Sequence, residues 1–362
     1  MKRAFKQKVS GKLPDKIVDD FTPRHSRTPL FYGLPKDHKP DVPLRPVVSN
    51  CDGPTEKTSI LLEKILHQLV QFVPLHLKDT NDFLVKLKDF WSANDIPEAA
   101  IFFSVDVVNL YGSIPLEGAM EAVREMLESH KDDIDLCGLS VDDICDLLKE
   151  CLSNNVFRFG DEFYLQKQGV AMGNPVAPIV AILFMHRFET LALENAPRKP
   201  AFLARYIDDF AGVWLEGKES LEEFVEYLNG IDPRIKFTCE MTEEGAGSVP
   251  MLDTLVSLSR VGGRCTYSTE LYIKPNNAGI ILHFKSAHPK RTKINVVRSQ
   301  FLRAIKISSD DQTRERSLNK ISDLLDKNGY PSKIVKRIRR EALRVTQARH
   351  LRNGRYRRDQ RR

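Results

Sequence analysis

The sequence predicts an α+β fold: a body of short strands and packed helices, followed by a helical and strongly basic C-terminal region. Three observations point there. Between residues 101 and 273, short β-rich runs alternate with segments of helical periodicity. Beyond Pro275 the periodicity is helical only. Charge is also segregated. Residues 331–362 hold thirteen Lys/Arg and two acids, a net of +11, which leaves −5 on residues 1–330 of a chain whose total is +6. Residues 284–306 add seven Lys/Arg and no acid, whereas residues 117–150 carry eleven acids against three Lys/Arg. Any one such run reads equally well as a solvated helix face. Several together suit a phosphate backbone, where each neutralised phosphate releases counterions.

The bulk properties set limits. A chain of 362 residues has room for two or three packed subdomains, and 41% hydrophobic with 29% charged residues reads as globular. No run of 18 apolar residues occurs, so no membrane span is expected. Met1-Lys2-Arg3-Ala4-Phe5 has no apolar core behind it and does not read as a secretory signal. The six cysteines form no C-x-x-C pair, which suits reduced intracellular thiols and not structural zinc.

In chain order, residues 1–30 are basic, carry Pro14 and Pro23, and read as irregular. Residues 32–50 are extended, since Pro35, Pro40, Pro43 and Pro46 exclude a helix. Leu61, Leu62, Ile65, Leu66 and Leu69 give residues 59–72 helical periodicity. Residues 101–107 alternate as a strand, and 116–127 and 141–152 read as amphipathic helices. Val156 to Phe159 and Glu162 to Leu165, separated by Gly160-Asp161, read as a hairpin. Residues 177–193 form an apolar helix, 202–214 a strand–turn–strand with Tyr206-Ile207-Asp208-Asp209 at the turn, and 220–228 a helix. Strands are expected over 237–241, 251–258 and 266–273. Three helices follow: 293–307; 310–327, with Asp310 as N-cap and Gly329 as stop; and 331–351, ending near Gly354.

Three carboxylates stand out. Asp106 follows the apolar run Ile101-Phe102-Phe103-Ser104-Val105, and Asp208-Asp209 lies between two apolar strands. Charges inside apolar strands are costly unless paired or bound to a metal. Phosphoryl transfer onto a hydroxyl is served by two Mg²⁺ ions about 4 Å apart, held by carboxylates at the ends of neighbouring strands. An isolated Asp-Asp would otherwise read as an ordinary exposed turn.

The flanking residues resemble those of reverse transcriptases. Arg205-Tyr206-Ile207-Asp208-Asp209-Phe210 resembles the Y-x-D-D box. Phe103-Ser104-Val105-Asp106-Val107-Val108-Asn109-Leu110-Tyr111 resembles the first catalytic motif, and Gln168-Gly169-Val170-Ala171-Met172-Gly173-Asn174-Pro175 is similar to the Q-G-x-x-x-G-x-P motif that opens a palm helix. The finer resemblance is to Penelope-like elements, relatives of telomerase reverse transcriptases. It rests on Gly33-Leu34-Pro35-Lys36-Asp37-His38-Lys39-Pro40, Leu44-Arg45-Pro46-Val47-Val48-Ser49, Pro250-Met251-Leu252-Asp253, and the segment from Leu271-Tyr272-Ile273-Lys274-Pro275 to His288-Pro289-Lys290. It spans roughly residues 30–310. Asn174 departs from the usual Ser, and no GIY-YIG nuclease segment follows, so extension is expected from a supplied 3′ hydroxyl.

The resemblance implies a right-hand polymerase with fingers, an antiparallel-sheet palm and a helical thumb. The expected divisions are a basic N-terminal segment (1–30), fingers (31–100), a palm with a fingers insertion at about 116–167 (101–268), and a helical basic thumb and tail (269–362). It implies RNA-directed DNA synthesis with two Mg²⁺ ions, for which Mn²⁺ can substitute. Asp106, Asp208 and Asp209 are then the catalytic residues, with Val107 beside them among the metal ligands. Lys36, Arg45, Tyr111, Gln168 and Gly169 would bind the nucleotide, Arg45 as a phosphate clamp and Tyr111 as the gate against a 2′ hydroxyl. Met172, Gly173, Asn174, Pro175, Leu252, Asp253, Lys285, Lys290, Arg291 and Arg298 would meet template and primer, with Lys293 and Arg303 on the same basic face and Lys236 near pyrophosphate. The bland alternatives are surface charges for Lys36 and Arg45, a core aromatic for Tyr111, and a solvated helix for the basic residues. Expected partners are an RNA template, a DNA primer or RNA–DNA duplex, and dNTPs, with no membrane; the expected location is the nucleus. Telomerase-like or group II intron-like reverse transcriptases are the nearest rivals. A domesticated non-catalytic nucleic-acid-binding protein is the rival from another class, and the intact Asp106, Asp208, Asp209 and Tyr111 argue against it.

Overall fold

The computed structural model describes residues 5, 9, 11–22, 25–36, 41–242 and 247–359, with side chains through residue 346. Asp37-His38-Lys39-Pro40, part of the first Penelope-like block, lies outside the described residues. The chain divides into two compact units. The first comprises Met1–Leu77, Val105–Gly212 and Lys218–Cys239; the second comprises Lys78–Ser104, Val213–Gly217 and Glu240–Arg362.

The first unit begins with more order than the sequence suggested. Phe5, Val9 and Leu13 are buried at helical spacing, and helix α1 (Asp15–Phe21) starts behind Pro14. A prolyl ring suits a helix start because its missing N–H has no partner there anyway. Lys12 closes this segment onto Asp143 at 2.6 Å. Strands β1 (Leu30–Pro35) and β2 (Leu44–Ser49) pair antiparallel, Leu30 opposite Ser49 and Pro35 opposite Leu44. The expected hairpin forms as β4 (Val156–Phe159) and β5 (Glu162–Leu165) and completes the sheet β2-β1-β4-β5. Phe31 packs on Phe157 and Phe159 across it.

Helices α2 (Glu56–Leu66), α5 (Leu116–His130), α6 (Val141–Ser153) and α7 (Ala177–Asn195) supply the first unit's helical core. Residues 67–72 continue α2 as a 3₁₀ segment. Helix α6 starts on a capping box in which Ser140 and Asp143 satisfy each other's backbone N–H. Helix α7 is apolar on nearly all sides, which marks a central helix.

The sheet that carries the carboxylates has the order β6-β7-β3-β8, built from β3 (Ile101–Val107), β6 (Phe202–Tyr206), β7 (Asp209–Trp214) and β8 (Phe237–Met241). β6 and β7 are joined by a two-residue turn and so run antiparallel. The bonds Val108 N–Lys236 O and Thr242 N–Phe102 O make β3 and β8 antiparallel as well. The short helix α4 (Leu110–Ser113) follows β3, and α8 (Lys218–Ile231) follows β7.

In the second unit, helix α3 (Thr80–Ala93) is capped by Asp79, whose carboxylate accepts from Asp82 N. The single strand expected over 251–258 is instead a hairpin, β9 (Ser248–Met251) and β10 (Thr254–Val261), pivoting on Leu252-Asp253 with Leu252 at φ 55°. β11 (Arg264–Leu271) completes the sheet β11-β10-β9. Helices α9 (Lys290–Ile307), α10 (Asp311–Lys327) and α11 (Ser332–Asp359) pack around Val297, Phe301, Leu318, Ile321, Leu325, Val335 and Ile338. Asp310 caps α10 as the sequence indicates, bonding Thr313 N at 2.8 Å. Helix α11 runs through Gly354 to Asp359 instead of stopping there. One glycine costs only about 1 kcal/mol in a helix, too little to end one by itself.

Candidate active site

The catalytic candidates gather at one end of the four-stranded carboxylate sheet, within the first unit. Asp106 is the penultimate residue of β3; Ile207 and Asp208 form the turn between β6 and β7; Asp209 opens β7. Burial pushes the Asp208 carboxyl up from its ordinary range and the negative charge of Asp106 adds to this, while Arg45 and Arg205 pull it back. The Tyr111 phenol is pushed up to about 12, first by burial and then by Asp208 and Tyr206. Asp106, Asp208, Arg45 and Tyr111 are therefore near enough to feel one another. Arg45 projects from β2 and is exposed, free to meet an anion.

A carboxylate raised by burial and by a second carboxylate near it gathers negative charge that a hard dication would offset. Oxygen donors on Asp106 and Asp208, with the Val107 carbonyl at the strand end, suit Mg²⁺ or Mn²⁺. Among the described residues no three His, Cys, Asp or Glu side chains stand as a ready-made metal cluster.

The Gln168–Pro175 loop is stitched to its surroundings by backbone. Val170 N donates to Tyr111 O at 2.6 Å, and Val48 N donates to Met172 O at 2.8 Å. Gly169 and Gly173 both have positive φ, and a Cβ there would lie 2.5 Å from Tyr111 O and 2.3 Å from Val48 O. The close approach these glycines permit is thus to neighbouring protein backbone, helix α4 for Gly169 and strand β2 for Gly173. Asn174 is buried; its Oδ1 accepts from Val176 N and shapes the entry to α7. Gln168 is exposed, and its carbonyl accepts from the Gln166 amide. Lys36 N closes the hairpin on Pro43 O. Lys236, considered for pyrophosphate, donates its ammonium to Asn229 O at 2.8 Å.

The remaining nucleic-acid candidates belong to the second unit. Asp253 accepts from Thr80 and pairs with Arg303 at 2.5 Å. Arg298 pairs with Glu341 at 3.4 Å, and Lys293 donates to Ser286 O and lies over the Phe284 ring. Lys285, Lys290 and Arg291 are exposed and have no ion pair among the described residues. His283 and His288 make local bonds, to Lys285 N and Ser286 Oγ.

Sequence reading passed over Arg205 and Glu189. Arg205 is fully buried on β6, and Glu189 on α7 is 4% exposed. They pair through Nε–Oε2 at 2.6 Å and Nη2–Oε1 at 3.2 Å. Arg205 Nη1 also donates to Ile207 O, in the carboxylate turn, at 2.9 Å. A signal was available, since each is a charge inside an otherwise apolar segment.

Comparison with known proteins agrees with this architecture. A family model for the animal helix-turn-helix domain matches residues 280–340, which hold α9, α10 and the start of α11. No curated protein matches the chain. Among solved structures, the telomerase of Candida albicans in complex with a fragment of telomeric RNA superposes with a TM-score of 0.62 at 12% identity, covering 92% of this chain and 59% of that one. The apo telomerase of Candida tropicalis gives 0.53 at 12% identity, covering 88% and 57%. The Sicinivirus 3Dpol RNA-dependent RNA polymerase gives 0.51 at 12% identity, covering 90% and 70%. The chain thus spans under two thirds of the telomerase chains it matches. It has the α+β right-hand polymerase fold shared by telomerases and viral RNA polymerases.

Proposed function

We propose that the chain is an RNA-directed DNA polymerase of the Penelope-like group, acting in the nucleus, that extends a primer 3′ end. The observation that carries this is the placement of Asp106 at the end of β3 and of Asp208 in the turn that opens the neighbouring β7, close enough for Asp106 to raise the Asp208 carboxyl, with Arg45 and Tyr111 within reach of the same charge. Asp106, Asp208 and Asp209 with the Val107 carbonyl would hold two divalent ions. When bound, these supply charge neutralisation at the attacking and leaving oxygens of the phosphoryl transfer. Arg45 grips the anionic tail of the incoming dNTP by paired N–H donors. Tyr111, held by its carbonyl to Val170 N, lies under the sugar and excludes a 2′ hydroxyl. Met172, Gly173 and Pro175 stand at the templating base, and Asn174 sets the shape of that loop. Lys285, Lys290 and Arg291 bind duplex backbone. The matched helix-turn-helix region and the RNA bound in the Candida albicans telomerase support nucleic-acid partners for this fold.

A telomerase-like reverse transcriptase is the second reading, favoured by the same neighbours; on that reading the chain would copy one short RNA segment repeatedly. Primer extension on a long RNA template, on DNA and on a short RNA circle separates the two readings. We expect dNTP addition along the full RNA template with Mg²⁺, abolished in Asp208→Asn. Tyr111→Ala should raise ribonucleotide use at least about tenfold, the discrimination lost when a packed contact is removed. Activity of Asp208→Asn within tenfold of wild type refutes the metal-ligand assignment, and extension with NTPs alone by the unaltered chain refutes the reverse-transcriptase reading.

A further inference from the structure

A β-branched residue resists positive φ, yet Ile207 stands at φ 54°, directly before Asp208. Such a conformation persists only where the surroundings over-determine it. Here Arg205 supplies that determination. Its backbone is fixed on both sides, with N donating to Leu75 O and O accepting from Leu77 N, each at 2.7 Å. Its fully buried guanidinium uses Nε and Nη2 on Glu189, Nη2 again on Ile182 O at 3.2 Å, and Nη1 on Ile207 O. The Phe210 ring lies 5.7 Å from it on the other side of the turn. Glu189 is itself oriented by His186 at 3.4 Å. Burial works against its ionisation, but Arg205 and His186 outweigh this and hold the carboxyl below its usual range.

We propose that Arg205, anchored by Glu189 on helix α7, is a positioning residue that holds the Ile207–Asp208 turn so that Asp208 faces Asp106. The inference rests on the polymerase reading above. Helix α7 begins where the Gln168–Pro175 loop ends, so the clamp ties the carboxylate turn to the same helix that the loop leads into. A lysine cannot replace the fork. Its single ammonium cannot serve Glu189, Ile182 O and Ile207 O in their observed directions.

Removing one member alone leaves a buried unpaired charge and threatens folding, so the informative variant is Arg205→Met/Glu189→Leu, which leaves an apolar contact in place of the pair. Arg205→Lys, which keeps the charge and loses the fork, is the second variant. Four readouts apply: thermal unfolding, amide hydrogen exchange across residues 206–210, Mn²⁺ affinity by paramagnetic resonance, and primer-extension kcat and dNTP KM. We expect a folded variant with faster exchange in the turn, Mn²⁺ affinity and kcat each lowered about tenfold or more, and a nearly unchanged dNTP KM, as for loss of a ligand-orienting residue. Unchanged exchange and unchanged Mn²⁺ affinity in either folded variant overturn the proposal, as does equal loss in KM and kcat. If the unaltered chain extends no primer, the polymerase reading fails, while exchange and Mn²⁺ affinity still decide whether the clamp holds the turn.

Discussion

At the scale of single residues, the site is built at some cost to stability. Asp208 has a raised carboxyl because it is partly buried and faces Asp106. Its sign in the pH balance is therefore unfavourable: the folded state holds the proton more tightly than the unfolded chain. The resulting destabilisation is absent at low pH, grows as pH rises from the unfolded toward the folded value, and is complete above the latter. Asp208→Asn should accordingly lose activity while gaining stability, on the order of 1 kcal/mol at neutral pH without divalent ions, as is common when a functional charge is removed. Thermal unfolding with and without Mg²⁺ checks this. A midpoint lowered in metal-free buffer contradicts the assigned repulsion. Gly173 makes the opposite case. Its φ is 110° and a Cβ would sit 2.3 Å from Val48 O, a backbone atom in a paired strand. Gly173→Ala should cost at least about 2 kcal/mol, combining strain and a displaced strand. A denaturation midpoint close to wild type means the loop moves aside freely.

At the scale of elements, the legible parts were those with one strong local signal. The hairpin at Gly160-Asp161, the turn at Asp208 and the cap at Asp310 were read correctly because turn and cap chemistry is written in adjacent residues. Helix α3 was missed although Asp79, Phe83 and Leu87 marked its cap and its narrow buried stripe. The pivot at Leu252-Asp253 carries no local turn signal, since leucine resists the left-handed conformation, and only the resemblance of these two residues to a primer-grip hairpin pointed to it; Asp253, bonded to Thr80 and Arg303, helps fix it. Of the site, the three Asp residues and Tyr111 were legible as a motif. The Arg205–Glu189 pair was not, since only packing brings β6 and α7 together. The N-terminal segment was also misjudged, because Phe5, Val9 and Leu13 are spaced four apart among basic residues that read as irregular. Its Lys12 bond supports a pH prediction. Burial opposes ionisation of Asp143, but hydrogen bonds from Lys12 and Ser140 pull it down to about 2. The stability from this depressed group is present above the ordinary Asp range near 3.8 and is lost as pH falls toward about 2. Lys12→Met should therefore weaken the protein at pH 7 and make little difference near pH 2. Urea unfolding at the two pH values measures it, and an equal effect at both assigns Lys12 a packing role instead.

At the scale of the whole molecule, the net charge of +6 is the sum of −5 on residues 1–330 and +11 on residues 331–362. Cutting the chain at Pro331 is a poor test of that end, because Val335, Ile338 and Ala342 belong to the core shared by α9, α10 and α11. Substituting exposed cations avoids the difficulty. Arg303 is tied to Asp253, Arg298 is shared with Glu341, and Lys293 bonds Ser286 O. Lys285, Lys290 and Arg291 are exposed, within the stretch matched by the helix-turn-helix family. If each meets one phosphate, a triple change to Gln should weaken primer–template binding similarly for every sequence. It should also make the slope of log K against log salt shallower by about 2 to 3, since each neutralised phosphate contributes about 0.9 on duplex DNA. Folding should be little affected, because exposed charges away from packed contacts change stability by about 0.5 kcal/mol or less. Fluorescence anisotropy across a salt series gives the slope directly. A slope equal to wild type, in a variant with an unchanged thermal midpoint, would show that these three side chains do not reach nucleic acid and would move the duplex-binding surface elsewhere on the chain.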